Sequence, residues 1–141
     1  MHKKNWKTFF SFVLLLVIID QFFKIFFMRT LEFGSSFSIF TLTKNTGTFY
    51  GLFKNGNLFF IFITVAVIIA VLLYYKGMEE KHKLPFALIL AGGIGNLIDR
   101  VFLGGVIDFI DLKIWPIFNL ADSFITIGIL WLVWLLFLKE A

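Results

Sequence analysis

Residues 58–75 read LFFIFITVAVIIAVLLYY and contain no charged side chain. Their most polar member is Thr64. An α-helix needs about 20 mostly apolar residues to cross the hydrocarbon core of a bilayer. Because the run comes close to that length, it predicts a membrane-spanning helix.

Three further apolar runs flank this segment, at about residues 9–28, 84–101 and 117–138. The first has a basic start, as a signal peptide has, but no small-residue cleavage site follows it, so it is predicted to be retained. Together the four runs predict an all-α membrane protein with four transmembrane helices. The chain, residues 1–141, is predicted to form one integral membrane domain.

The composition agrees with a bilayer environment. Apolar residues make up 60% of the chain and charged residues 16%, whereas typical soluble domains have about 45–50% and about 25%. A soluble domain of 141 residues has too much surface to bury this much apolar side chain. We therefore expect membrane lipid to cover it.

The absence of cysteine and the scarcity of histidine exclude several kinds of functional site. The chain has no cysteine, which excludes thiol catalysis, disulfides and Cys-based zinc sites. His2 and His82 are its two histidines, and both lie in Lys-rich stretches, so a His-based triad or metal centre is not expected. Neither a metal nor a cofactor is predicted. The net charge of +4 comes from basic residues beside the apolar runs, which indicates membrane orientation rather than nucleic-acid binding.

Most basic residues fall on one side of the predicted helices. That side receives the N-terminus, the loop between the second and third helices and the C-terminus, with Lys3, Lys4, Lys7, Lys76, Lys81, Lys83 and Lys139. Because Lys-rich and Arg-rich segments stay in the cytoplasm, both termini are predicted to be cytoplasmic. The loops at about residues 29–57 and 102–116 then face the opposite side.

The first of these outer loops is predicted to contain a small β-like element at the membrane surface. Residues 37–43 alternate loosely between apolar and polar side chains, as a strand does. The sequences NTG at residues 45–47 and KNG at residues 54–56 are turn signals.

The uncommon polar residues converge on the outer face. They occupy outer helix ends and outer loops: Asp20, Lys24, Asn45, Asn96, Asp99, Arg100, Asp108, Asp111, Asn119 and Asp122. A charge within a bilayer costs about 2.5–3.5 kcal/mol on insertion scales and is a functional candidate by default. Asp20 and Lys24 are spaced i,i+4 and can pair, so a structural ion pair and a functional role both remain open for them.

Asp108 and Asp122 are the main candidates for chemistry. Asp108 stands in an apolar setting, GGVIDFI at residues 104–110. Asp122 could instead serve the start of the fourth helix, where the dipole favours a carboxylate and Asn119 could be the N-cap. Two carboxylates that meet share a proton, so one can deprotonate water while the other protonates a carbonyl oxygen. That chemistry is peptide hydrolysis without a metal or a covalent intermediate.

Five motifs in this order resemble the lipoprotein signal peptidase family, also called signal peptidase II. They are Asp20-Gln21 followed by Lys24, NTGTFYG at residues 45–51, GGIGNLIDR at 92–100, GVIDFI at 105–110 and FNLADS at 118–123. The resemblance covers essentially the whole chain. Thr48 and Tyr50 depart from many members, which affects only the fine shape of their loop.

The resemblance implies an aspartic endopeptidase of the bacterial cytoplasmic membrane, expected as a monomer with its active site at the extracytoplasmic face. Its substrate would be a diacylglyceryl-modified prolipoprotein, cut just before the lipid-bearing cysteine. The resemblance also implies three sets of residues: a catalytic dyad of Asp108 and Asp122, a substrate and inhibitor pocket with Asn45, Asn96, Arg100 and Asn119, and a supporting set of Asp20, Lys24, Gly95 and Asp99.

Two other functions fit parts of the pattern. Carboxylates within four helices could serve a transporter, but here they cluster at one face and the inner half of the bundle offers no polar path. A non-catalytic scaffold would explain the apolar bulk but not the convergence of Asn, Asp and Arg. The peptidase hypothesis accounts for both features.

Overall fold

The computed structural model describes residues 6–47 and 56–140. Within these residues, four helices are long and apolar enough to cross a membrane, which confirms the predicted fold class. Their bounds are α1 Trp6–Thr30, α2 Asn57–Tyr74, α3 Glu80–Leu103 and α4 Leu120–Glu140. A 3-10 turn, Tyr75–Gly77, continues α2. Thr48 and Tyr50, which depart from many family members, lie outside the described residues. So do residues 54 and 55 of the turn signal predicted at residues 54–56.

The outer surface of the bundle is apolar. In α2, Val71 is the one buried residue, although the helix is almost entirely hydrophobic. Large side chains such as Phe62 and Leu73 are exposed. Such surface is unfavourable in water and favourable against lipid, so the exposure pattern matches a multi-pass membrane protein.

Helix α3 lies at the centre and packs against α1, α2 and α4. Its close approach to α4 depends on glycine. A Cβ atom at Gly92 would lie 2.3 Å from the carbonyl oxygen of Ala121, whereas one at Gly93 would meet Thr64 at an ordinary 3.6 Å. Small residues permit this backbone approach, and it brings the start of α4 against the end of α3.

Among the described residues, three antiparallel strands form a sheet beside the C-terminal ends of α1 and α3, in the order β1, β2, β3. They are β1 Ser36–Phe37, β2 Phe40–Asn45 and β3 Val106–Ile110. The sheet docks on α1 through Phe27, whose ring stacks on Phe109 with centroids 4.5 Å apart. The predicted β-like element is therefore present.

The details of this sheet correct two sequence-based expectations. Residues 37–43 do not form one strand, because the chain turns at Ser38, which has φ 56°. Residues 106–110 form a third strand rather than the simple loop that was expected. That strand pairs with β2, and Thr43 lies opposite Asp108.

Helix α4 begins at Leu120 rather than at the predicted residue 117. The reason is that Phe118 pairs with Ile110 of β3: each of these residues donates its backbone N–H to the other's carbonyl oxygen, at 3.0 and 2.8 Å. Asn119 follows immediately, and this tether fixes the start of α4 beside β3.

Candidate active site

Asp108 and Asp122 meet where β3 runs beside the start of α4. Asp108 is at the middle of β3 and is 3% exposed. Asp122 is in the first turn of α4. The pairing of Phe118 with Ile110 of β3 thus brings the predicted pair of carboxylates together.

Asn119 links the two carboxylates. Its Oδ1 accepts the backbone N–H of Asp122 at 2.9 Å, and its own backbone N–H donates to Oδ2 of Asp122 at 3.3 Å. This reciprocal pair is a capping box, in which the N-cap and the third helical residue satisfy each other's N–H. The Nδ2 atom of Asn119 donates to Oδ1 of Asp108 at 2.7 Å. The N-cap hypothesis for Asn119 is confirmed, and the same capping box holds Asp122 in place.

Asn96 lies behind the dyad and is 5% exposed. Its Nδ2 atom donates to Oδ1 of Asp122 at 2.8 Å. Its Oδ1 atom accepts from Lys24 Nζ and from Asn119 Nδ2, both at 3.1 Å. Asn96 therefore connects Asp122 to a buried lysine.

Lys24 forms a buried ion cluster with Asp20 and Asp99, in which Nζ is 2.8 Å from a carboxylate oxygen of each. Asp20 also accepts the backbone N–H of Ala121 at 2.9 Å, and Asp99 accepts that of Ile107 at 3.0 Å. The cluster consequently joins α1 and α3 to the first turn of α4 and to β3. These contacts hold together the elements that carry the two aspartates of the site.

Gly95 and Gln21 complete this cluster. A Cβ atom at Gly95 would lie 2.6 Å from Oδ2 of Asp20, so the glycine leaves room for the carboxylate. Gln21 Nε2 donates to the carbonyl oxygen of Gly95 at 3.1 Å and to Asp99 at 3.0 Å. Gln21 belongs to the first sequence motif but was not predicted as a site residue, although a glutamine inside an apolar helix is itself a signal.

An open cavity of about 100 Å³ lies in front of the dyad. It is lined by Asn45, Gly47, Arg100, Val106, Asp108, Ile117 and Asp122. Of the four residues expected in a substrate pocket, Asn45 and Arg100 line this cavity, whereas Asn96 and Asn119 are buried behind the carboxylates. Val106 and Ile117 were not predicted, because apolar residues carry no functional signal of their own.

Two of the lining residues are held in place by neighbours. Asn45 donates from Nδ2 to Oδ2 of Asp108 at 3.3 Å, and its Oδ1 accepts the backbone N–H of Gly47 at 2.9 Å. The guanidinium carbon of Arg100 lies 5.3 Å from the centroid of the Phe60 ring, within cation–π range. The cavity therefore offers two carboxylates, one amide and one guanidinium.

The pKa of Asp108 is raised to about 7, chiefly by burial and also by the charge of Asp122, while hydrogen bonds from Asn45 and Asn119 oppose the shift. In contrast, hydrogen bonds from Lys113 and Thr41 lower the pKa of Asp111. A carboxyl group with a pKa near neutrality can exchange its proton with a reactant. Asp108 has that property and Asp111 does not.

Within residues 6–47 and 56–140, no group of three or more His, Cys, Asp or Glu side chains is arranged to hold a metal ion. The two carboxylates of this site can perform acid–base chemistry, because one can take a proton while the other gives one.

Comparisons with known proteins point the same way. A family model described as "Signal peptidase (SPase) II" matches residues 12–138. The lipoprotein signal peptidase of Halothermothrix orenii is 37% identical over 136 residues, which cover 91% of this chain and 94% of that one. That of Staphylococcus aureus strain MRSA252 is 36% identical over 148 residues, covering 94% and 90%. A solved bacterial membrane enzyme superimposes with a TM-score of 0.92 at 33% identity, covering 100% of this chain and 94% of the other.

Proposed function

The chain belongs to the signal peptidase II family of aspartic peptidases, and from this premise we propose that it cuts diacylglyceryl-modified prolipoproteins just before the lipid-bearing cysteine, using Asp108 and Asp122 to activate water. The observation that carries the proposal is a pair of carboxylates at the wall of an open cavity, Asp108 buried and Asp122 partly buried, joined through Asn119.

The proposed reaction needs one carboxylate and one carboxylic acid. The carboxylate takes a proton from water as the water oxygen attacks the scissile carbonyl carbon, and the acid gives its proton to the carbonyl oxygen. The amine then leaves with the proton that came from water, and the acid recovers its proton from the collapsing intermediate. Neither step requires a metal or a covalent enzyme intermediate.

The remaining cavity residues are proposed to bind the substrate backbone. Arg100 has five N–H donors, and no acid side chain pairs with it within the described part of the chain. It is therefore free to bind a peptide carbonyl oxygen. Asn45 is proposed to hold Asp108 and to contact the peptide from the sheet side. Asn96 and Asn119 act by positioning the dyad.

The location of the cavity suits a lipidated substrate. It lies at the end of α3 and the start of α4, both of which are spanning candidates, so a bound peptide bond sits near one membrane surface. A diacylglyceryl group next to that bond can remain in the lipid. We propose that this surface is the extracytoplasmic one, that both termini are cytoplasmic, and that the enzyme works as a monomer surrounded by membrane lipid.

The decisive experiment compares two versions of one precursor. The purified enzyme in lipid nanodiscs is given a prolipoprotein with diacylglycerylated cysteine, or the same precursor without lipid, and the products are identified by mass spectrometry. Because each buried CH₂ group contributes about 0.8 kcal/mol to membrane partitioning, the lipid-free precursor is expected to be cut at least about 100-fold more slowly. Equal rates, or a cut elsewhere than before the cysteine, would contradict the proposal.

The rate of cleavage is also expected to depend on pH. With its pKa raised to about 7, Asp108 is protonated below that pH and ionised above it. Above pH 7 the dyad therefore carries two negative charges and lacks its acid, so kcat should fall about tenfold per pH unit. Stopped assays from about pH 5 to about pH 9 measure this limb. An increase in kcat above pH 7 would argue that Asp108 works only as a base.

A further inference from the structure

We propose that Lys24 and Asn96 form a chain of hydrogen bonds, the relay, in which Lys24 donates to Asn96 and Asn96 donates to Asp122. The relay keeps Asp122 ionised and leaves the single proton of the resting dyad on Asp108. The consequence for catalysis rests on the proposed peptidase function. The position of the proton does not, because it belongs to the enzyme without substrate.

The relay begins at Lys24. Its ammonium group has three N–H donors and no acceptor. These meet three acceptors: Asp20 Oδ2 and Asp99 Oδ2 at 2.8 Å, and Asn96 Oδ1 at 3.1 Å. The opposite orientation of the Asn96 amide would place NH₂ against the ammonium group. The amide of Asn96 is therefore fixed with its oxygen toward Lys24.

The fixed amide determines what Asp122 meets. With Oδ1 of Asn96 facing Lys24, its Nδ2 group must face Oδ1 of Asp122, which it does at 2.8 Å. The other oxygen of Asp122 accepts the backbone N–H of Asn119 at 3.3 Å. Both oxygens thus face groups that can only donate, at the N-terminus of a helix, where a negative charge is favoured. This is a site for a carboxylate.

The amide of Asn119 is fixed in the same way, and its orientation determines what Asp108 meets. The backbone N–H of Asp122 can only donate, and it fixes Oδ1 of Asn119 toward itself. The Nδ2 group of Asn119 consequently faces Oδ1 of Asp108 at 2.7 Å. This leaves Oδ2 of Asp108, whose hydrogen bond among the described residues is a long 3.3 Å contact from Nδ2 of Asn45 on β2. The oxygen that remains for a proton is therefore Oδ2 of Asp108.

The surroundings of Asp108 favour the neutral form. Its neighbours in β3, Val106, Ile107 and Phe109, are all buried. The charged groups that act on it are Asp122 from α4 and Lys24 from α1, and Arg100 of α3 lines the cavity that both aspartates share. Two neighbouring carboxylates cannot both ionise easily. Each aspartate accepts one hydrogen bond of 2.7 or 2.8 Å and one of 3.3 Å. The charge is therefore placed on Asp122 because that residue lies in the first turn of α4 and is only partly buried, whereas Asp108 is 3% exposed among apolar neighbours.

This asymmetry assigns the two roles in the reaction. Asp122 is the base: it takes a proton from water as the new C–O bond forms. Asp108 is the acid: it gives its proton to the carbonyl oxygen as the C=O double bond becomes a single bond. When the C–N bond breaks, Asp122 passes its proton to the leaving nitrogen and Asp108 takes one back from the hydroxyl group. Lys24 and Asn96 are positioning residues: they are 1% and 5% exposed and act through Asp122.

The position of the proton can be measured by NMR on the resting enzyme. The protein is labelled with carbon-13 at the aspartate carboxyl carbons, placed in lipid nanodiscs and titrated from about pH 4 to about pH 9. Signals are assigned by single Asp→Asn substitutions. At about pH 6 we expect the Asp108 signal at the position of a carboxylic acid and the Asp122 signal at that of a carboxylate. The reverse order, or two carboxylates, would overturn the proposal even if the enzyme cuts lipoproteins.

A second measurement tests the relay with a variant of the same shape. Asn96→Asp keeps an oxygen toward Lys24 but replaces the Nδ2 donor with a second oxygen facing Asp122. A proton must then enter between residues 96 and 122, so the acidic limb of the kcat–pH profile should move up by at least about one pH unit. The matched control is Asn57→Asp, because the amide of Asn57 donates to the carbonyl oxygen of Arg100 rather than to either aspartate.

In this control the acidic limb should remain in place. An unchanged limb in Asn96→Asp, in a variant that retains the wild-type Tm, would show that Asn96 does not set the charge of Asp122. A limb that moves equally in both variants would show a general effect of added charge, and would overturn the relay.

Discussion

Asp108→Asn and Asp122→Asn are each expected to reduce kcat for cleavage of a lipidated precursor by about 10³-fold or more, within the range associated with general acid–base groups. Asparagine keeps the size of the side chain but can neither take a proton from water nor give one to a carbonyl oxygen. Binding should survive, because the cavity retains Asn45 and Arg100. Single-turnover assays at saturating enzyme separate the lost chemical step from any loss of affinity.

The matched control for these variants is Asp111→Asn. It makes the same chemical change three residues after Asp108, in the same segment between α3 and α4. Asp111 is engaged with Lys113 and with Thr41 Oγ1 at 2.8 Å, and it does not line the cavity. Activity should stay within about twofold of wild type. If Asp111→Asn is as inactive as the dyad variants, the two catalytic positions have been misassigned.

The membrane fold was predictable because lipid imposes a simple requirement. Any helix that spans a bilayer must present about 20 apolar residues, and this pattern remains visible in a single sequence. The predicted ends differ from the observed ones at both ends of α3, which runs from Glu80 to Leu103 rather than from 84 to 101. Hydropathy detects the hydrocarbon core, whereas Gly104 with φ 73° ends the helix outside it.

The strand β3 was not predictable by pattern. Its residues are buried on both faces, so the alternation that marks a half-exposed strand is absent. Its one polar residue, Asp108, was recognised for its chemistry instead. Pairing with β2 depends on residues more than 60 positions earlier in the chain, as the hydrogen bond from Asn45 to Asp108 shows. No local signal encodes such a partner.

The gathering of these candidate site residues was predictable from the sequence, whereas the burial of each one was not. The sequence indicates that Asn45, Asn96, Arg100 and Asn119 gather at one face, and the structure brings them together. It does not indicate which of them reach the cavity. That distinction depends on the direction of each side chain on its helix, and here it separates Arg100 at the cavity wall from Asn96 behind the dyad.

Lys24→Met should have the largest effect on stability. Methionine has a similar length and is apolar, but it leaves Asp20 and Asp99 buried without their cation, at 0% and 1% exposure. Breaking a buried ion pair by removing one partner costs about 3–5 kcal/mol. The expected result is a large fall in Tm for the protein in nanodiscs, followed by tryptophan fluorescence.

The same substitution at an exposed ion pair provides the control. Lys113 pairs with Asp111 at 2.6 Å, but its side chain is 57% exposed, and exposed pairs contribute little. Lys113→Met should therefore leave Tm nearly unchanged. Comparable falls in the two variants would mean that loss of a positive charge, rather than loss of the buried cluster, destabilises the protein.

A double variant distinguishes two causes of a fall in Tm, buried uncompensated charge and the loss of a side chain that fills space. In the double variant Lys24→Met/Asp20→Asn, one of the two orphaned carboxylates becomes an amide. The double variant should regain part of the lost Tm if buried uncompensated charge is the cause. If Lys24 acts only by filling space, the second substitution should lower Tm further, because Asn at position 20 weakens the hydrogen bond that Asp20 accepts from the backbone N–H of Ala121 at the start of α4.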